Sequence, residues 1–291
     1  MADLRAEAIA LYDLYAHEGL DRRAFLARLT RLAGSTAAAA ALLASIAPDS
    51  AAAAVVPETD ARIRARRMHW PVAAGRSLRG YQAEPIRPGG SLPAVLVIHE
   101  NRGLNAHIED VARRLALAGY RAVAADFLAP AGGTPADPDA AREAIGKLDL
   151  AQTTADAVAT LRVLKSLPGG NGKAGAVGFC WGGAMVNRVA VAAGEALDAG
   201  VSFYGPAPEP AEAKRVQGAL LVHLAGLDER VNRTGIPWGE ALRAASPRHE
   251  VMMHEGVNHA FHNDTSAERY DRTAAERAWA ATLAFFARTV G

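Results

Sequence analysis

From about residue 62 onward, apolar residues fall into short unbroken runs separated by stretches with helical spacing. Val95-Leu96-Val97-Ile98-His99, Arg121 to Phe127, Ala174-Gly175-Ala176-Val177, Val201-Ser202-Phe203-Tyr204, Ala219 to Leu224 and Glu250 to His254 have the length of strands. Their apolarity is continuous rather than alternating, which is what a strand covered on both faces requires. Residues 106–118, 139–147, 150–166, 184–193 and 267–288 read as helices, the first ending at Gly119. Arg66 to Val72 and Leu78 to Ala83 flank Gly75 and predict a hairpin. Proline and glycine mark loops over 85–93 and 130–138. Strands alternating with helices predict an α/β fold, a mainly parallel sheet with helices on both faces.

The first sixty residues differ in character. Leu4, Ala8, Leu11, Leu14 and Tyr15 predict a short amphipathic helix over 3–17. Asp21-Arg22-Arg23-Ala24-Phe25-Leu26 follows, then an alanine-rich apolar run through Ala47 and small residues from Ser50 to Ala54. The arginine pair, the apolar run and the small-residue end resemble a twin-arginine export signal, which favours a periplasmic or exported location over the cytoplasm. The pair lies deep in the chain, and Arg28 and Arg31 intrude on the apolar run. The competing reading is a helical arm retained on the domain or on a second subunit. The run is too short and alanine-rich for a stable membrane span. The chain therefore divides into a helical or signal-like segment, 1–60, and an α/β domain, 61–291.

Composition narrows the function. With 291 residues, 50% hydrophobic, the chain can bury a large core. A net charge of +1 gives no electrostatic case for nucleic acid. A homodimer stays open. Cys180 is the single cysteine, so an intramolecular disulfide cannot account for it.

Cys180 stands at the centre of Gly178-Phe179-Cys180-Trp181-Gly182-Gly183, between a strand-like and a helix-like run. This is a nucleophile elbow with cysteine at the apex, where glycines let strand and helix pass close together. In a parallel sheet, ligands bind beyond the C-terminal strand ends. Those positions carry Glu100-Asn101-Arg102-Gly103-Leu104, Cys180, Gly226-Leu227-Asp228-Glu229-Arg230 and Gly256-Val257-Asn258-His259-Ala260-Phe261. The order nucleophile, acid, histidine predicts Cys180 as nucleophile, His259 as base and Asp228 as the acid that orients it. Glu229 competes with Asp228, and His254 and His262 with His259. The backbone N–H groups of Trp181 and Asn101 are candidates for an oxyanion hole. A metal cluster of His254, His259 and His262 lacks the spacing of known helical zinc motifs, and neither metal nor cofactor is expected.

Together, His99-Glu100-Asn101-Arg102-Gly103-Leu104, Ala125-Asp126-Phe127, the cysteine elbow, Phe203-Tyr204-Gly205, Gly226-Leu227-Asp228 and Asn258-His259-Ala260-Phe261 resemble the dienelactone hydrolase (carboxymethylenebutenolidase) family over residues 75–288. The resemblance implies an α/β-hydrolase fold and a Cys180–His259–Asp228 triad. It implies that Glu100 contacts the thiol and helps deprotonate it. It also implies hydrolysis of a small ester or lactone through a cysteine thioester, without metal or organic cofactor. The family binds a substrate carboxylate with arginines, one of them four residues after the histidine; this chain has Asn263 there. Arg102, Tyr204, Arg230 and Phe261 are the substrate-binding candidates, with Arg142 also near in sequence. Two other readings are a binding module on the same fold and a thiol-based redox sensor.

Overall fold

The computed structural model describes residues 2–47 and 54–291. The small-residue stretch of the export-signal reading falls mostly in 48–53, outside the described residues.

Eight strands form one sheet: β1 (Ile63–Ala73), β2 (Arg76–Pro85), β3 (Leu92–Ile98), β4 (Arg121–Asp126), β5 (Gly170–Phe179), β6 (Ala199–Phe203), β7 (Ala219–Ala225) and β8 (Glu250–His254). Their order is β1-β2-β4-β3-β5-β6-β7-β8. The first two make the predicted antiparallel hairpin, β2 meets β4 antiparallel, and every pairing from β4 through β8 is parallel. Residues of β4, β6 and β7 are buried throughout, as unbroken apolar runs require.

Helices α4 (Ala106–Leu117) and α9 (Arg272–Thr289) cover one face, burying Ile108, Val111, Phe285 and Phe286 against Val95, Val97 and Val177. Helices α6 (Leu150–Lys165), α7 (Trp181–Ala192) and α8 (Glu229–Ala245) cover the other, burying Leu161, Val186 and Trp238 against Leu96, Ile98 and Val222. Short helix α5 (Pro138–Gly146) precedes α6. The mixed α/β architecture is the predicted one. Helix α8 is an addition, because Gly235, Pro237 and Gly239 interrupt its sequence with residues that disfavour a helix. The last helix starts at Arg272 rather than 267, where Asp271 caps its N-terminus by accepting from the Ala274 N–H.

Residues ahead of the sheet form α1 (Ala2–His17), α2 (Arg22–Ala33) and α3 (Thr36–Ile46). They share a small core of Ala8, Tyr12, Tyr15, Phe25, Leu29 and Ile46. Asp21 caps α2 through the Ala24 N–H, so the residue before the arginine pair serves as a helix start. The helices dock on the domain as an arm. Tyr15 donates to Asp139 (2.6 Å), Arg22 pairs with the same carboxylate, Arg5 pairs with Glu268, and the Ser266 hydroxyl donates to the Ile46 carbonyl (2.8 Å). Among the described residues, no single helix is long and apolar enough to cross a membrane; α2 and α3 are bent by 108°.

Candidate active site

The site begins with the turn from β5 into α7. Cys180 has φ 56° and ψ −113°, a conformation that side chains other than glycine rarely adopt. It is held by tight packing. A Cβ on Gly178 would lie 2.1 Å from the Gly182 carbonyl oxygen, and one on Gly182 would lie 2.3 Å from that of Ile98. Helix and strand therefore cross at a distance only glycine allows. The Cys180 N–H is tied to the Phe203 carbonyl (3.0 Å). Trp181 opens α7, so its N–H belongs to the positive end of the helix and has no intrahelical acceptor.

Asp228 follows β7 and does two jobs. Oδ1 accepts from the Val231 N–H (3.1 Å), capping α8, and Oδ2 accepts from His259 Nδ1 (2.5 Å). The loops carrying the pair are fastened together by Gly226 N–H to His254 O (2.8 Å) and Leu227 N–H to Val257 O (3.0 Å). Burial alone would suppress the His259 cation. The Asp228 carboxylate and the Cys180 sulfur outweigh it and raise the imidazole pKa to about 9. Burial likewise disfavours ionised Asp228, yet the imidazolium beside it brings the carboxyl below its usual range. His259 Nε2 is buried without a hydrogen-bond partner among the described residues.

The arm reaches this centre. His17, at the end of α1, places Nδ1 3.8 Å from Cys180 Sγ, and its ring centroid is 4.7 Å from that of His259. Donor atoms of His17, Cys180 and His259 all lie within 4.8 Å of one another, so these three residues could hold a metal ion. Burial first, then the positive neighbours His259, Arg230, Arg269 and Arg102, lower the His17 pKa well below its ordinary value and keep the ring neutral. Arg269 donates through Nε to the His259 carbonyl (3.1 Å) and through its terminal nitrogen to Asp13 of the arm (2.8 Å). Arg102 donates to the Tyr12 hydroxyl (2.7 Å), and the Asn101 amide to the Ala16 carbonyl (3.0 Å). The cavity left around Cys180 is about 20 Å³, space for about one water. A second cavity of about 190 Å³ lies between arm and domain and shares Tyr12 and Arg102 with the first.

The remaining candidates are distributed unevenly. Glu100 lines the cavity, but its carboxylate accepts from Asn263 Nδ2 (2.8 Å) and makes no hydrogen bond to the sulfur among the described residues. The amide at the position of the family arginine thus takes the carboxylate that the resemblance directed to the thiol. Asn101 and Arg102 line the cavity as well. Tyr204 is buried with φ 39°, its ring 5.0 Å from His259 and its hydroxyl without a hydrogen-bond partner among the described residues. One Arg230 guanidinium nitrogen lies 3.5 Å from His259 Nδ1, but the residue does not line the cavity. Phe261 belongs to the core, packed on Tyr204 (5.5 Å) and His254 (4.8 Å). The Trp181 ring stacks on His99 at 5.1 Å, and the residue does not line the cavity at Cys180. His254 bonds to buried His223 (3.0 Å), and His262 stacks on Phe179 (5.2 Å), so both serve the core. Tyr12, His17 and Arg269 are additions: the amphipathic pattern of α1 shows a helix without showing where it docks, and Arg269 sits in a loop without a motif.

Residues 78–290 match the profile of the family described as "Dienelactone hydrolase family". A protein of Escherichia coli (strain K12) named "Putative hydrolase fragment YghX" is 46% identical over 112 residues, 38% of this chain and 96% of that one. A Synechocystis protein named "Putative carboxymethylenebutenolidase" is 33% identical over 225 residues, 69% of this chain and 88% of that one. Among solved structures, a dienelactone hydrolase-like promiscuous phosphotriesterase, P91, from metagenomic libraries superposes with a TM-score of 0.69 at 28% identity, covering 79% of this chain and 100% of that one.

Proposed function

The chain belongs to the dienelactone hydrolase family and is a carboxylic ester hydrolase, and from that premise we propose that it cleaves a small ester or lactone with Cys180 as nucleophile, His259 as acid and base, and Asp228 as the group that orients His259. The observation that carries this reading is the short Asp228–His259 bond beside an elbow whose strained apex is the chain's one thiol.

The chemistry follows from the charges. An imidazole with a pKa near 9 is protonated at neutral pH, and its cation is the partner a thiolate needs. The thiolate attacks the carbonyl carbon, and the negative charge developing on oxygen meets the N–H groups of Trp181 and Asn101. The bond to the leaving oxygen then breaks, and His259 gives that oxygen its proton. Neutral His259 next takes a proton from water as the hydroxide attacks the thioester. The C–S bond breaks, the acid leaves, and the thiolate–imidazolium pair is restored. Asp228 keeps Nε2 directed at the sulfur and stabilises the cation throughout.

A cavity of about 20 Å³ does not hold an ester beside the thiol. The substrate therefore enters when α1 withdraws, through the larger arm–domain cavity that shares Arg102. Asn263 in place of the family arginine directs the reading toward small esters or lactones in general rather than dienelactone itself. The test is hydrolysis of activated aryl esters and lactones by the parent, Cys180→Ala and His259→Ala. Both variants lose at least about 10³-fold in kcat if the three side chains act as a unit. Parental rates in Cys180→Ala overturn the proposal.

A further inference from the structure

We propose that His17, Cys180 and His259 form a binding site for a soft divalent cation of the zinc class, which ties the N-terminal arm to the elbow. The donor set is one thiol and two imidazoles, the chemistry that zinc prefers over hard, oxygen-seeking ions. The three donor atoms lie within 4.8 Å of one another, with His17 Nδ1 3.8 Å from Sγ. Zinc–sulfur and zinc–nitrogen bonds of about 2.3 and 2.0 Å put neighbouring S and N donors roughly 3.5 Å apart at a tetrahedral ion, so closure takes a small shift.

Two further observations point the same way. His259 Nε2 is buried, unpartnered and turned to this cluster. His259 also carries a carboxylate on its far side, where Asp228 accepts from Nδ1 at 2.5 Å. That carboxylate–histidine arrangement fixes ring orientation and raises ligand basicity at metal sites. The cluster carries both signs of charge, with Asp13, Glu100 and Asp228 set among the guanidinium groups of Arg102, Arg230 and Arg269. The Asn101 amide, 3.5 Å from His17 Nδ1, is the one donor that must turn aside.

Because His17 comes from the arm and the other two from the catalytic domain, the ion would hold the arm shut and occupy the sulfur. That block on hydrolysis rests on the catalytic reading above; the binding does not.

The full chain is titrated with Co²⁺ as a spectroscopic probe and with Zn²⁺. The expected results are one ion per chain, a thiolate-to-cobalt charge-transfer band in the near ultraviolet, and tetrahedral ligand-field bands in the visible. Cys180→Ser abolishes the charge-transfer band. His17→Ala weakens Zn²⁺ binding by at least about tenfold, as losing a direct ligand should exceed the loss of a supporting group, and Zn²⁺ then no longer shields Cys180 from iodoacetamide. His17→Asn, which keeps a polar group of similar reach, repeats the comparison should the alanine variant fold poorly. Absence of the charge-transfer band, or equal Zn²⁺ affinity in both His17 variants and the parent, overturns the site. A site that binds as described while Zn²⁺ leaves ester hydrolysis untouched supports the metal assignment and refutes Cys180 as the nucleophile.

Discussion

Replacing Asp13 by alanine should expose the thiol. In the closed structure the Asp13 carboxylate accepts from Arg269, whose guanidinium is buried against the His259 carbonyl. The substitution strands that guanidinium only while the arm is docked, so it destabilises the closed state relative to the open one. A charge-assisted hydrogen bond contributes about 1.5–3 kcal/mol, and each 1.4 kcal/mol is about tenfold in a population. The open fraction should therefore rise about 10- to 100-fold, up to full opening. Cys180 is the only cysteine and lies under His17, which makes alkylation by iodoacetamide a direct count of open molecules. The second-order rate in Asp13→Ala should rise by that factor. Adding Asp139→Ala, which releases Tyr15 and Arg22, should raise it further. An unchanged rate in the double variant would mean that α1 does not control access, and the occlusion argument would fail.

Three other outcomes follow from the same geometry. Asp228→Asn keeps the shape but loses the charge that fixes the imidazole tautomer, so kcat for aryl esters should fall by about 10³- to 10⁴-fold with little change in KM. His259, with a pKa raised from 6.5 to about 9, favours the folded state most fully below pH 6.5 and loses that contribution as pH rises through 9. Urea midpoints measured between pH 6 and 10 should show a loss of up to about 3 kcal/mol that is absent in His259→Gln. Gly182→Ala would drive a Cβ to 2.3 Å from the Ile98 carbonyl oxygen; it should destabilise by about 2–3 kcal/mol in chemical denaturation and abolish hydrolysis by unseating the elbow.

The parts of the molecule legible in its sequence are those written locally. Apolar strand runs and the Gly178–Gly183 elbow are short-range patterns, because close crossing of strand and helix leaves no residue but glycine at fixed offsets. Asp228 and His259 could be picked out because strands end just before them, and the sheet's parallel order then brings distant strand ends to one rim. Helix α8 was hidden by Pro237 and its flanking glycines, where burial of Val231, Trp238 and Leu242 overrides poor local propensity. The arm's role was hidden for a different reason. Nothing in Leu4 to His17 says which surface the helix meets, and the roles of Tyr12, Asp13 and His17 arise from contacts with residues 90 to 256 positions away in the chain. The arginine pair illustrates the same limit: Arg22 reads as an export motif by itself and as the partner of Asp139 in the folded chain. Glu100 was found as a residue but not in its contact, since Asn263 redirects it from another loop.

The central claim is that the sulfur of Cys180 becomes acylated during turnover. Acid-quenching the enzyme with an activated aryl ester within the first turnovers, followed by peptide mass spectrometry, tests it most directly. The account predicts an acyl increment on the peptide containing Cys180, sensitive to hydroxylamine and absent from Cys180→Ala. Acylation of another residue, or steady hydrolysis by Cys180→Ala with no adduct on the parent, would contradict it.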